Sequence, residues 1–293
     1  MAERGDKPET LLLTGASTGL GLALARRLLG SPYRLVLTAR EESLERFAAA
    51  GIAESERVHL RPLDVADSEQ RHRVVEEAAD RWGGVDVLIN NAGIAYRAVV
   101  EHFPDDPLFD QMLINFYGPM ELIRLVLPRM REKRSGRILN VSSVGGMMAM
   151  PTMAPYSASK FALEGATEAL WYEVRPWNIR VSLVEPGFIH SDSFRNTLYT
   201  DRSRRAMRDH TNAYHAHYQH MDGMIARLMD ITRSTPEAVA RKIVRILSRR
   251  DPPLRVPATW DAHVFTLLRR VLPRGLYHRV LYALLPKVGS WGG

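Results

Sequence analysis

The chain contains no cysteine, which excludes disulfides and thiolate zinc sites. That composition suits a reducing compartment without requiring one. No uninterrupted apolar run approaches the ~20 residues that a bilayer-spanning helix needs. The N-terminal "MAERGDKPET" is polar and lacks a signal-peptide pattern. The expectation is a cytoplasmic protein, or at most one lying on a membrane surface. Lysine is scarce, 5 residues against 35 arginines. What is present, 45% hydrophobic and 25% charged residues over 293 positions, is enough for a globular protein with a sizeable core.

The net charge of +7 raises the question of nucleic acid. Its distribution argues against that partner. Residues 241–293 carry eleven Lys/Arg against Asp251 and Asp261, a net +9, which leaves the first 240 residues at −2. The basicity belongs to the tail, and no base-reading chemistry is interleaved with it. There are no internal repeats or low-complexity segments.

Short runs rich in Val, Leu and Ile alternate with helical patterns. "TLLLTG" (10–15), "RLVLTA" (34–39), "VHLRPLD" (58–64), "VDVLINNAG" (85–93), "GRILNVSS" (136–143) and "IRVSLVEPG" (179–187) read as strands. Helices are expected between them, including 68–83, 108–133 and 155–176. Strands apolar on both faces are buried parallel strands. The pattern predicts a single-domain α/β fold, a Rossmann-like doubly wound parallel sheet with helices on both faces. Residues 1–255 form the expected dinucleotide-binding catalytic domain, with a polar lid at about 190–233. Residues 256–293 form a basic, amphipathic C-terminal extension.

Between the first strand and first helix stands "TGASTGLG", with Gly15, Gly19 and Gly21 flanking Ser17, Thr18 and Leu20. It could be a plain strand-to-helix turn. At the opening of the first βαβ unit, however, such glycines let the backbone approach a pyrophosphate at a helix N-terminus. The second strand ends in Ala39 and Arg40, where an acid would accept from a free ribose 2′-hydroxyl. A basic residue there favours a 2′-phosphate, so NADP(H) is favoured over NAD(H). An ordinary surface arginine is the alternative.

"YSASK" sets Tyr156 and Lys160 four residues apart on an expected helix, hence on one face. A phenol with a pKa near 10 needs help to exchange protons at neutral pH, and an adjacent ammonium lowers that pKa. "NVSSVGG" delivers Ser143 thirteen residues upstream, where its hydroxyl could polarise a carbonyl. Together with Asp64 in "LDV", "NNAG" (90–93), Asn115 in "INFYG" and "PG" (186–187), these motifs resemble those of the short-chain dehydrogenase/reductase family. The resemblance spans about residues 8–190.

The resemblance implies a catalytic tetrad of Asn115, Ser143, Tyr156 and Lys160. It also implies a hydride-transfer mechanism in which Tyr156 protonates the carbonyl oxygen and Asn115 holds a water linking Lys160 to solvent. Asp64 and Val65 would flank the adenine, Asn90, Ala92 and Gly93 the adenosine ribose, and Pro186, Gly187 and Ile189 the carboxamide. Ser191 stands where the family usually has threonine. A homo-oligomer is implied as well.

The loop "SVGGMMAMPTM" supplies methionines that would pack a core or line a broad apolar pocket. Met148, Met150 and Phe188 are the substrate candidates beside Ser143. The local pattern is most similar to the 17β-hydroxysteroid and retinol dehydrogenase branch, which implies a bulky lipophilic ketone or alcohol: steroid, retinoid or long-chain. A 3-oxoacyl or other lipid-intermediate reductase is the alternative. A dinucleotide-sensing binding protein without catalysis is a third reading. His210, His215, His217 and His220 share a face only roughly and have no acidic partners, so no metal is expected. In the tail, "HVFTLLRRVLPRGLYHRVLYALLPK" carries two apolar stripes with arginines opposite. It would pack on its own domain, on a second copy, or on a membrane surface.

Overall fold

The computed structural model describes residues 7–190 and 197–292. Its first half runs β1 (Thr10–Leu13), α1 (Gly19–Leu28), β2 (Arg34–Ala39), α2 (Glu45–Ala49), β3 (Val58–Pro62), α3 (Ser68–Trp82) and β4 (Val87–Asn90). Then follow β5 (Tyr96–Arg97), α4 (Asp105–Met112), α5 (Gly118–Glu132), β6 (Gly136–Val141), α6 (Ala154–Val174) and β7 (Ile179–Glu185). The remainder contains β8 (Leu198–Tyr199), α7 (Asp201–Arg208), α8 (His215–Ile231), α9 (Pro236–Leu247), β9 (Arg255–Pro257), α10 (Trp260–Val271) and α11 (Arg274–Leu284).

Seven strands form one all-parallel sheet in the order β3-β2-β1-β4-β6-β7-β9. Alternation within a strand divides the core in two. Leu11 and Leu13 pack with Leu24 and Leu28 of α1, Phe47 of α2 and Ile243 of α9. Leu12, between them, faces Val74 of α3, Leu122 and Val126 of α5, and Leu170 of α6. A period of two thus feeds helices onto both faces of one sheet, which is the expected doubly wound, single-domain α/β architecture.

Two elements differ from the sequence pattern. The helix expected over 108–133 is split into α4 and α5 by a π-helical turn at Leu113–Tyr117. The boundary expected at residue 255 falls inside β9, which pairs with β7 through Leu183 and Arg255. Prolines surround this three-residue strand, and an edge position tolerates them.

The polar segment after β7 is more helical than its composition suggests. Two residues of it, β8, pair with β5, and the start of α7 and α8 are pinned to β5 and the stretch after it by polar contacts. The Val99 amide donates to the Tyr218 hydroxyl at 3.0 Å, the Thr200 hydroxyl donates to the His102 carbonyl at 2.8 Å, and Arg97 pairs with Asp222. The tail returns to the sheet. The Gly187 amide donates to Thr259 Oγ1 at 2.8 Å and the Phe188 amide to Asp261 Oδ2 at 2.9 Å.

The turn from β1 into α1 is sterically closed. A Cβ on Gly21 would overlap the Gly15 carbonyl oxygen, which is backbone and cannot step aside. Alanine is worth about 1 kcal/mol over glycine inside a helix, so any net loss isolates the overlap. Gly21→Ala is expected to be less stable by about 1–3 kcal/mol, read as a lower Tm by circular dichroism. An unchanged or raised Tm would show that the turn is not sterically closed.

Candidate active site

At the carboxyl edge of the sheet, where doubly wound folds bind their ligands, lies a cavity of about 870 Å³. Its floor is the turn between β1 and α1: Gly15, Ser17, Thr18, Leu20 and Gly21 all line it. Gly19 does not line the cavity; its φ of +51° turns the chain into α1. Thr18 precedes α1 without capping it, and the first turn holds no acidic residue. The leading amides of this helix are therefore left to an anion. Thr14 Oγ1 accepts from the Asn91 and Ala92 amides at 2.9 and 3.0 Å, and Asn91 Nδ2 donates to the Thr14 and Gly15 carbonyls. These bonds tie the turn to the end of β4.

Three of the four residues of the expected tetrad line the same cavity, and the fourth lies behind its wall. Ser143 follows β6, and Tyr156 and Lys160 occupy the first turns of α6; all three line the cavity. The Lys160 ammonium donates to the Val141 carbonyl at 2.9 Å and lies 6.0 Å from the centre of the Tyr156 ring. Gly145 lets that ring lie close, since a Cβ there would sit 2.8 Å from Tyr156 Cε1. Asn115 is buried on the π-helical turn, behind the cavity wall. Its amide donates to the Ile94 carbonyl at 2.9 Å and to Ser159 Oγ at 3.1 Å, and its carbonyl oxygen accepts from the Ile94 amide at 2.9 Å. A π turn offsets a helix's hydrogen-bond register, and such turns concentrate at functional sites.

Residues 9–202 match the family model described as short chain dehydrogenase. The chain belongs to the short-chain dehydrogenase family. Its relatives include 3-ketodihydrosphingosine reductase of Bacteroides thetaiotaomicron, 34% identical over 85% of this chain and 87% of that protein. Human retinol dehydrogenase 8 is 35% identical over 95% of this chain and 90% of its own length. Among solved structures, a short-chain dehydrogenase from Streptomyces avermitilis superposes with a TM-score of 0.79 at 30% identity, covering 97% of this chain and 96% of that one. As a member of this family the chain is an oxidoreductase acting between CH–OH and C=O with a nicotinamide dinucleotide.

Other expected residues divide between the cavity and its surroundings. Arg40, Asp64, Val65, Ala92, Gly93, Pro186, Gly187 and Ile189 line this dehydrogenase's cavity, as do Met150 and Phe188. Asn90 does not. It closes β4 with its side chain inside the protein, donating to Asn140 Oδ1 at 2.9 Å, while its neighbour Asn91 reaches the glycine turn. Met148 turns away as well and is buried with Met147 against Tyr277 of α11. Ser191 lies outside the described residues. His217 rests against Trp291, ring centres 4.7 Å apart, and His210 against His215 at 4.4 Å.

Several lining residues carry no motif. Ser43 and Arg46 line the cavity together with Arg40. Ile225 and Met229 enter from α8, and Arg97 from β5. The periodicity of α8 is the only sequence signal for the first pair.

Behind Ser143 and Lys160 lies an ionic cluster that the sequence did not announce, with Glu164 and Glu185 buried and Arg255 reaching them from the surface. Arg255 Nη1 donates to Glu164 Oε2 at 2.6 Å and to Glu185 Oε1 at 2.7 Å, and Nη2 donates to Glu168 Oε2 at 3.0 Å. Ser142, next to Ser143, donates to Glu164 Oε1 at 2.7 Å. Glu164 is one turn beyond Lys160 on α6, so its charge opposes the desolvation that pulls the ammonium down to about 8. Tyr156 departs from expectation: burial raises its pKa, against a smaller opposing effect of the Ser143 hydroxyl. The ammonium, 6.0 Å from the ring centre and bonded to Val141, does not reverse this. The phenol is held in its protonated form.

Burial and the Glu164 charge lift Glu185 from 4.5 to about 7, with Arg255 pulling the other way. A carboxyl raised on folding adds stability below its unfolded pKa and loses it as pH rises through the folded value. Wild type should therefore lose stability relative to Glu185→Gln between pH 4.5 and about 7, by at most about 3 kcal/mol at about 1.4 kcal/mol per unit. Paired thermal melts across that range test this; a constant Tm difference would contradict it.

Proposed function

We propose that this dehydrogenase is an NADP(H)-dependent reductase of a bulky lipophilic ketone or aldehyde, interconverting it with the alcohol. The observation that carries the reading is the shared cavity. Ser143, Tyr156 and Lys160 line it together with the glycine turn, and Met150, Met153, Phe188, Leu198, Ile225 and Met229 give it an apolar wall. Such a wall rewards a large apolar substrate by burial. Both named relatives act, by their names, on lipophilic molecules, a retinol and a sphingoid ketone.

When bound, the nicotinamide supplies the hydride in reduction and accepts it in oxidation. Tyr156 and Ser143 do the remaining work at the carbonyl oxygen. The Ser143 hydroxyl donates a hydrogen bond that stabilises developing negative charge. The protonated Tyr156, half-buried in the cavity wall, delivers its proton to that oxygen. Lys160 stands behind the phenol and supports the phenolate left after transfer, while Asn115 orders the wall through which its proton is replaced. The glycine turn would hold the pyrophosphate, Asp64 and Val65 the adenine edge, and Ile189 the carboxamide region.

Arg40 and Arg46 together would hold a ribose 2′-phosphate, and Asp64, assigned to the adenine edge, is the one acid among the described residues that line the cavity. This favours NADP(H) over NAD(H), although Arg40 also contacts Glu42 at 3.1 Å. Residues 256–293 are read as the outer wall of the substrate compartment, and the homo-oligomeric habit of the family is carried over to this chain. The second reading, a reductase of a long-chain lipid intermediate, is favoured by the relative that reduces 3-ketodihydrosphingosine.

The test is a panel of steroids, retinoids, long-chain ketones and 3-oxoacyl thioesters, followed at the NADPH absorbance and repeated with NADH. Wild type should prefer the lipophilic ketones and NADPH. Tyr156→Phe should lose about 10²-fold or more in kcat, and Arg46→Ala should raise KM for NADPH while leaving NADH unaffected. Full turnover by Tyr156→Phe, or equal use of both cofactors by wild type, would overturn the assignment.

A further inference from the structure

The tail resolves into a helix pair with two unlike faces. Its inner face is spent on the protein. Phe265, Leu268, Leu272 and Leu281 pack on Met147, Met148 and Met150, and Leu285, Val288 and Trp291 pack on Met221 and Ile225. Met150 and Ile225 turn their other sides to the cavity. The helix pair is thus backed directly onto the apolar wall of the substrate compartment.

The outer face is apolar and uncovered. Trp260, Leu267, Val271, Leu276 and Tyr282 are between 47% and 78% exposed, and Leu284, on the Tyr277 and Leu281 side of α11, is 66% exposed at the helix end. These six fall within 25 residues, whereas the other exposed large apolar residues are spread over the rest of the described chain. On α10, Trp260, Leu267 and Val271 recur at helical spacing with Arg270 beside them. On α11, Leu276 shares its stripe with Arg279 and Ala283. Exposed Lys287 follows α11. From residue 252 onward the sequence holds a single acid, Asp261. Its carboxylate is turned inward, accepting from the Phe188 amide at 2.9 Å.

We propose that the outer face of α10 and α11 docks this enzyme on an anionic lipid surface, with the substrate compartment opening from the lipid side of the wall. A face of apolar side chains and cations, with its only acid withdrawn, matches anionic headgroups above acyl chains. Trp260 and Tyr282 are the side chains that settle at such an interface. A second copy of the chain is a poorer occupant, because a two-fold axis through this face would set arginines against arginines. The helices have 12 and 11 residues, too short to span, and no helix of the described residues is long and apolar enough to cross a membrane. They lie in the plane of the surface. The docking stands on this face alone. Its use, passing a lipophilic substrate between bilayer and cavity without crossing water, rests on the function proposed above.

The experiment needs no substrate, so it fails or succeeds separately from that function. Full-length protein is co-sedimented with phosphatidylcholine vesicles, with and without phosphatidylglycerol, and its mass is measured by sedimentation velocity. Wild type should pellet with the anionic vesicles and stay in solution with the neutral ones. The double variant Arg270→Glu/Arg279→Glu should partition about tenfold less or weaker still, since each basic residue near such a surface is worth about 1 kcal/mol. The triple variant Trp260→Ser/Leu267→Ser/Leu276→Ser should lose binding while keeping its Tm, because these side chains touch solvent. Wild type remaining in the supernatant with anionic vesicles would overturn the proposal. So would variants that pellet as wild type does. A serine variant of lower mass, alongside wild type that ignores vesicles, would assign the face to contact between copies instead.

Discussion

A lysine ammonium sits almost wholly out of water at the carboxyl end of β6, and an uncompensated charge in that position would cost several kcal/mol. The surrounding structure is organised to make it tolerable. The Val141 carbonyl accepts a hydrogen bond from it, and Glu164 supplies a negative charge one helical turn away. Glu164 is itself buried, so it is neutralised by Arg255 and bonded by Ser142. Arg255 arrives on β9, the seventh strand, from a part of the chain 91 positions beyond Glu164. The catalytic edge of the sheet therefore depends on a strand beyond residues 9–202, which match the family model.

The same late segment controls the other side of the cavity. Thr259 and Asp261 hold the amides of Gly187 and Phe188, and these two residues line the cavity after β7. Helices α10 and α11 then cover the methionines that follow Ser143. A Cβ on Gly187 would collide with Asp261, so the loop and the tail are fitted to one another. Loop, tail and ion cluster form one continuous body behind the site. Changes in the tail should consequently be felt as changes in the site's shape.

β1, β2 and β4 were legible in the sequence because both faces of each are buried, which leaves a mainly apolar run. The constellation around Tyr156 was legible because a four-residue spacing on a helix fixes a shared face. The misses have physical causes. β9 is three residues among prolines and carries almost no apolar signal. The π turn at Leu113–Tyr117 leaves the helical pattern continuous, since it shifts the hydrogen-bond register without changing which side is apolar. Asn90 and Asn91 are adjacent in one motif, yet a strand's alternation sends the first into the sheet and leaves the second at the turn. Met148 differs from Met150 in the same way: one is covered by Tyr277, the other reaches the cavity. The raised pKa of Tyr156 could not be read from the Lys160 spacing, because burial, a tertiary property, outweighs the ammonium. Arg255 counted as one more basic residue of the tail until its partners on α6 and β7 were seen.

The central claim is that hydride and proton reach one carbonyl inside this cavity, the hydride from the nicotinamide and the proton from Tyr156. The most direct measurement uses NADPH carrying deuterium at the transferable C4 position, with a long-chain or retinoid carbonyl compound as acceptor. The account predicts deuterium on the carbinol carbon of the alcohol, in one stereochemical sense, and an ordinary solvent-derived proton on its oxygen. An unlabelled alcohol, or label released to water, would contradict it.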